Sequence, residues 1–175
     1  MGIMERLMRL FGTAPARDAL PEAPAEGNER RQKERRAAID GMKVLIIDDS
    51  PTIVALLRRM MRQNEFETLE AGDAEMGIDM ARAEVPHLIF LDIVLPGMNG
   101  FSALRVLRRD PATRHIPIIM ISGNEQATEE FYVHRIGADD FMKKPFARAE
   151  VFARIERLMD ESGIPRRLNA PAEVT

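Results

Sequence analysis

Asp48, Asp49, Asp92, Ser122 and Lys144 are the residues of this 175-residue chain whose types could do chemistry together. Each stands at the end of a strand-like run. Asp48 and Asp49 follow Lys43-Val44-Leu45-Ile46-Ile47, and Asp92 follows His87-Leu88-Ile89-Phe90-Leu91. Ser122 follows Ile116-Pro117-Ile118-Ile119-Met120-Ile121, and Lys144 follows Asp140-Phe141-Met142-Lys143. Three carboxylates in one place would repel one another and raise at least one pKa. A divalent cation removes that penalty, and an all-oxygen, partly hydrated site suits Mg2+ or Mn2+. A Lys ammonium is a second counter-charge, and the Ser122 hydroxyl can bond an additional oxygen group. Together these groups could receive a phosphoryl group on Asp92, a transfer that relies mostly on positioning and electrostatics.

Such a cluster needs a scaffold that brings four strand ends to one edge. The run 43–47 reads as a strand buried on both faces of a parallel sheet. Helical patterning follows at 51–61, with Pro51 in its first turn and Ser50 as a plausible N-cap. Further strands are predicted at 66–71, 87–92, 116–122 and 140–143. Further helices are predicted at 73–84, 101–109, 125–136 and 147–161. In the second helix, Met76, Ile78, Met80 and Ala81 are candidate core contacts. Strand and helix alternate five times, which predicts an α/β fold: a five-stranded parallel sheet, doubly wound, with right-handed crossovers. In that architecture ligands gather at the carboxyl ends of the strands, near a topological switch point.

Taken singly, each polar strand end has an ordinary explanation. Asp48 and Asp49 could be acids favoured by a helix dipole. Asp92 could open the turn Pro96-Gly97-Met98-Asn99-Gly100, Ser122-Gly123-Asn124 could be a plain loop, and Lys144 a surface charge. All of these at four strand ends would be independent coincidences, and this favours a shared site. Phe141 is more evenly placed, since a buried strand aromatic is ordinary core. The methionine-rich helices read as packing.

Four stretches in order resemble the CheY-like response-regulator receiver family. They are Ile47-Asp48-Asp49-Ser50, Leu91-Asp92 through Gly100, Ile121-Ser122-Gly123, and Gly137-Ala138-Asp139-Asp140-Phe141-Met142-Lys143-Lys144-Pro145-Phe146. The resemblance spans about residues 42–161 and implies the flavodoxin-like (βα)5 fold. It implies that Asp92 is the phosphoacceptor, attacking a phosphohistidine of a sensor kinase or phosphotransfer protein. Asp49 matches a direct Mg2+ ligand, Asp48 a ligand acting mainly through water, and the Val94 carbonyl the remaining protein ligand. Ser122 matches the switch hydroxyl and Phe141 the aromatic that swings inward with it. Lys144 matches the lysine that pairs with the phosphoryl group; neighbouring Lys143 competes for the role, but the family pattern sets the lysine directly before proline. The Lys144–Pro145 bond is expected to be cis. Val94 and Asn124 match positions that tune phosphoryl lifetime: Val94 cannot orient an attacking water, Asn124 can. Tyr132, the chain's one tyrosine, does not match the switch position.

Composition bounds the rest. Cysteine is absent, which excludes disulfides, thiolate catalysis and Cys-ligated metals. His87, His115 and His134 have no zinc spacing, and His134 reads as a solvated surface residue. A net charge of −3 gives no electrostatic case for nucleic acid. Neither a transmembrane run nor a signal peptide is visible, so a cytoplasmic place is expected. Residues 1–41 read as an extension: an amphipathic segment at 2–11 too short to be stable alone, then an Ala/Pro/Glu/Gly-rich linker. The mixed charges of 28–36 read as a solvated face. The nearly balanced charge of the first segment argues against stable membrane insertion. Residues 42–161 are the expected receiver domain and 162–175 a mobile tail.

These readings imply a signalling protein, not an enzyme with a substrate of its own. A phosphoryl group on Asp92 would change binding to a protein partner through the face of the fourth helix, fifth strand and fifth helix, in chemotaxis- or pilus-motility-type signalling. The sequence leaves room for a weak homodimer. The alternative from another class is a phosphorylation-independent adaptor localised through residues 1–41. A Mg2+-dependent phosphatase for small phosphate esters ranks third.

Overall fold

The structure is a computed structural model that describes residues 41–123 and 137–167. The expected helix at 125–136, with Asn124, Tyr132 and His134, lies outside the described residues, as do residues 1–40 and 168–175.

Five parallel strands form one sheet: β1 (Lys43–Ile47), β2 (Glu67–Ala71), β3 (Leu88–Asp92), β4 (Ile118–Ser122) and β5 (Asp140–Lys143). Their spatial order is β2-β1-β3-β4-β5. Four helices are described: α1 (Pro51–Arg62), α2 (Ala74–Glu84), α3 (Gly100–Arg109) and α4 (Arg148–Leu158). Among the described residues the strands and helices read from the sequence are present, with element ends shifted by at most three residues and the bounds of β1 and β5 unchanged. Strand β3 is buried along its whole length, as is β4, which is why both read as unbroken apolar runs.

Side chains of a strand alternate faces, and two cores result. Val44, Ile46, Phe90, Ile119, Ile121 and Met142 pack with Leu57, Met61, Val151 and Ile155 of α1 and α4. Leu45, Ile47, Leu91, Met120 and Phe141 pack with Ala74, Ile78, Leu104 and Leu107 of α2 and α3.

One local expectation holds in position only, and another is corrected. Ser50 sits at the N-cap of α1 but its side chain makes no capping hydrogen bond; its N–H instead donates to Asp48 Oδ1 at 2.9 Å. Met76 is 49% exposed and outside the core. The inward stripe of α2 is Ala74, Gly77, Ile78 and Ala81, spaced three and four apart, and Met76 falls off it. Gly77 belongs there because a Cβ would come within 2.4 Å of the Ile47 side chain. Small residues let α2 lie close on β1.

Helix α2 ends on Val85, a half-exposed β-branched residue at φ 44°, in the left-handed region. That conformation costs a non-glycine residue roughly 1–2 kcal/mol, against about 0.5–1 kcal/mol of extra chain entropy for glycine. Val85→Gly is expected to raise stability by about 0.5–1 kcal/mol in urea unfolding. A lower midpoint would show that packing of Val85 outweighs its strain.

Candidate functional site

Register explains how residues 48, 92, 122 and 144 meet. Ile47 is level with Leu91, Asp92 with Ile121, and Ser122 with Lys143. Parallel strands in such register end at one edge, so the next residue of each chain arrives there too. The ladder continues beyond the strands: Asp48 N–H donates to Ala71 O at 3.1 Å, Ile93 N–H to Ile121 O at 2.9 Å, and Lys144 N–H to Ser122 O at 2.7 Å. The edge lies where the chain switches from β1 to β2 on one side and β3 on the other, the usual crevice of this architecture.

The structure brings Asp48, Asp49, Asp92 and Lys144 together. One carboxylate oxygen from each acid lies within 4.8 Å of the others. The Lys144 ammonium is 2.8 Å from Asp48 Oδ2 and 3.0 Å from Asp92 Oδ2. Asp48 and Asp92 are buried, Asp49 is exposed, and Ser122 is buried at the end of β4. Lys144–Pro145 is cis, as the resemblance implied. Val94 is 65% exposed in the loop after β3. Phe141 lies inward, 2% exposed, in the core shared with α2 and α3.

Burial is the largest influence on the Asp92 carboxyl and, with the charge of Asp48, raises its pKa; the hydrogen bond and charge of Lys144 work the other way. Burial also pulls the Lys144 ammonium down, but its hydrogen bonds to Asp48 and Asp92 and their charges prevail, and its pKa is raised. One monovalent cation is thus shared between two buried acids. Among the described residues Asp92 Oδ1 is buried with no hydrogen-bond partner, and Asp48 Oδ2 meets the Lys144 ammonium. Buried carboxylate oxygens left in this state are costly. Oxygen donors, excess negative charge and an orphaned oxygen fit a hard divalent cation held by Asp48, Asp49 and Asp92.

Gly100, at the start of α3, is a further determinant of the site. A Cβ there would stand 2.0 Å from the Asp92 carbonyl oxygen and 2.9 Å from Ile93 Cα. Its N–H donates to Ile93 O at 2.9 Å, and Asn99 caps the helix by accepting from Ser102 N–H at 2.9 Å. The sequence marks 96–100 as a turn; it does not show that the helix touches the backbone of Asp92.

The expected mobile tail from residue 162 is corrected for residues 162–167. Pro165 bridges Met159, Arg166 N–H donates to Leu158 O at 2.7 Å, and the Arg167 guanidinium is buried against Asp139. An Arg-rich ending reads as solvated, because its acceptor lies 28 residues earlier.

Comparison with known proteins agrees with this geometry. The family model of the response regulator receiver domain matches residues 44–156. Protein PilH of Pseudomonas aeruginosa is 39% identical over 103 residues, covering 59% of this chain and 85% of PilH. The chain spans between 26% and 58% of the length of several longer curated relatives. Among solved structures, the receiver domain of a sensor histidine kinase from Pseudomonas aeruginosa, with a magnesium ion coordinated in its active-site cleft, is 26% identical with a TM-score of 0.62, covering 67% of this chain and 96% of that one. The CheX–CheY–BeF3–Mg2+ complex from Borrelia burgdorferi gives 25% identity and a TM-score of 0.67, covering 72% and 98%.

Proposed function

The chain belongs to the response regulator receiver family of two-component signalling, and on that premise we propose that it is a phosphorylation-dependent switch whose phosphoacceptor is Asp92. The observation that carries this reading is the Lys144 ammonium lodged between Asp48 and Asp92, beside Asp49, at the sheet edge. An Asp92 oxygen attacks the phosphorus of a phosphohistidine. The P–O bond forms as the P–N bond breaks, and the leaving imidazole nitrogen takes up a proton from solvent. Lys144 moves its ammonium onto the incoming oxygens, and the Ser122 hydroxyl donates to one of them. Asp48, Asp49, Asp92 and the Val94 carbonyl would hold Mg2+, whose charge offsets that of the transferred group. Phe141, buried in this structure, is the aromatic assigned to respond to Ser122.

Phosphorylation then shifts an equilibrium between conformers and changes affinity for a protein partner. The donor is a sensor kinase or phosphotransfer protein. The described part of the output face is β5 and α4; the rest of the expected face lies outside the described residues. We place the protein in chemotaxis- or pilus-type signalling, a reading supported by the similarity to PilH. A cytoplasmic place accords with it, and no helix among the described residues is long and apolar enough to cross a membrane. Residues 42–161 form the receiver, and residues 1–41 are a separate extension.

Titration with Mg2+ and beryllofluoride, followed by calorimetry, tests the switch. Wild type is expected to bind, and Asp92→Ala to give no heat of binding. A wild type that does not bind would leave the phosphorylation-independent adaptor as the better account.

A further inference from the structure

At the opposite end of β5 from Lys144, Asp139 is a buried carboxylate held from three directions. Its Oδ2 accepts from Ile118 N–H at 2.8 Å and from Arg108 Nη2 at 2.7 Å, and its Oδ1 accepts from Arg167 Nε at 3.2 Å. The two guanidiniums also hold the surrounding backbone. Arg108 donates to the carbonyls of Gly137 and Ile116, each at 2.7 Å. Arg167 donates to the carbonyls of Arg114 at 3.0 Å and Gly137 at 3.4 Å. Both arginine side chains are only 9% exposed. Bringing two guanidiniums to one carboxylate has a cost: burial pulls Arg108 down to about 10, with Asp139 opposing and the charge of Arg167 adding to the fall.

Arg167 is delivered by a built turn. Asp160 Oδ1 accepts from Ser162 N–H at 2.8 Å, from the Ser162 hydroxyl at 2.6 Å and from Ile164 N–H at 3.1 Å. Asp160 Oδ2 accepts from Arg166 Nε at 2.7 Å. These bonds, from Ser162 and Arg166 foremost, hold the Asp160 carboxyl well below the usual carboxylate range. A solvated tail would not need a carboxylate with four donors among the described residues alone.

We propose that residues 160–167 are a clasp and that Arg167 is a positioning residue for phosphoryl transfer at Asp92. The inference rests on the switch reading above. Strand β5 is four residues long, anchored at one end by Asp139 and passing at the other into Lys144. Its register against β4 sets Phe141 beside Met120 and brings Lys144 N–H to Ser122 O. Fixing Asp139 therefore fixes where the strand sets down the ammonium that must meet the phosphoryl oxygens. Loosening it broadens that placement and weakens the contact Lys144 makes with the transferred group. Cation binding draws on acids carried by β1 and β3, and a looser Lys144, which shares Asp48 and Asp92 with the cation, leaves it no weaker.

The experiment compares wild type, Arg167→Ala and Arg167→Lys as full chains, well below their unfolding temperatures, titrating Mg2+ alone and then beryllofluoride at saturating Mg2+. Arg167→Ala is expected to weaken beryllofluoride binding at least about threefold, with Mg2+ affinity no weaker than in wild type. Arg167→Lys, which keeps the charge without the two-pronged donor, is expected to fall between. Equal weakening of both ligands, or of neither, would reduce Arg167 to a structural residue and overturn the clasp. A wild type that binds no beryllofluoride would instead overturn the switch reading and the clasp with it.

Discussion

Lys144→Met is expected to destabilise the protein by about 2–3 kcal/mol in the absence of divalent cations, and Mg2+ is expected to restore most of that loss. Lys144 is the cation that the structure places between Asp48 Oδ2 and Asp92 Oδ2, whose side chains are 1% and 5% exposed. Removing one partner of a buried ion pair leaves the other charge uncompensated, at about 3–5 kcal/mol. The expected value is lower because Lys144 is itself 18% exposed, and water can enter when it leaves. For a domain of this size the change corresponds to roughly 10 °C in Tm. A divalent cation supplies the missing charge to the same carboxylates. It stabilises the native state by about 2.7 kcal/mol at a hundred times its dissociation constant, provided it does not bind the unfolded chain. Mg2+ should therefore raise the Tm of Lys144→Met by more than that of wild type, where the ammonium already does part of the work. Asp49→Ala should remove the Mg2+ response with little loss of fold, since Asp49 is exposed. The measurement is a thermal scan with EDTA and with excess Mg2+. If Mg2+ moved neither wild type nor Lys144→Met, the acidic cluster would not be a cation site.

The residues in that argument were legible in the sequence for a simple reason. Asp48, Asp92 and Ser122 each end a run of apolar residues, Lys144 follows a short strand-like run, and alternation of strand with helix brings such ends to one edge. The doubly wound sheet was legible on the same grounds. Met76 is apolar but lies off the helical stripe facing β1, which is made of Ala74, Gly77, Ile78 and Ala81. Ser50 stands at the N-cap of α1, as its place before Pro51 predicts, but its side chain makes no capping bond and its N–H serves the Asp48 carboxylate. The Asp139, Arg108 and Arg167 cluster was illegible for a deeper reason. A charged residue near a chain end normally stays in water, and only the folded sheet sets Arg167 beside an acid buried at the start of β5. Gly100 was half legible: its turn could be read, its close approach to Asp92 could not.

That approach carries the largest steric expectation. Gly100→Ala is expected to destabilise the protein by about 3 kcal/mol and to weaken Mg2+ and beryllofluoride binding together. The added Cβ would stand 2.0 Å from the Asp92 carbonyl oxygen, 2.9 Å from its carbon and 2.9 Å from Ile93 Cα. All three are backbone atoms of a strand buried on both faces and its first loop residue, so nothing nearby can swing aside. The start of α3 must lift instead. That would strain the Gly100 N–H bond to Ile93 O and the fit of Ala103, Leu104 and Leu107 into the core. Overpacking of this kind costs typically 1–3 kcal/mol, with the upper end expected where the obstacle is backbone. Gly77→Ala is the control, because its nearest obstacle at 2.4 Å is the far end of the Ile47 side chain. A rotamer change there can relieve part of the clash, and Ala favours a helix over Gly by about 1 kcal/mol. Gly77→Ala should therefore cost less than Gly100→Ala, about 1–2 kcal/mol, and leave ligand binding intact. Urea unfolding and calorimetric titration of the two variants decide it. Equal losses of stability would mean that α3 can lift as easily as Ile47 can turn. Unchanged ligand binding in a folded Gly100→Ala would mean that the position of α3 does not govern the site.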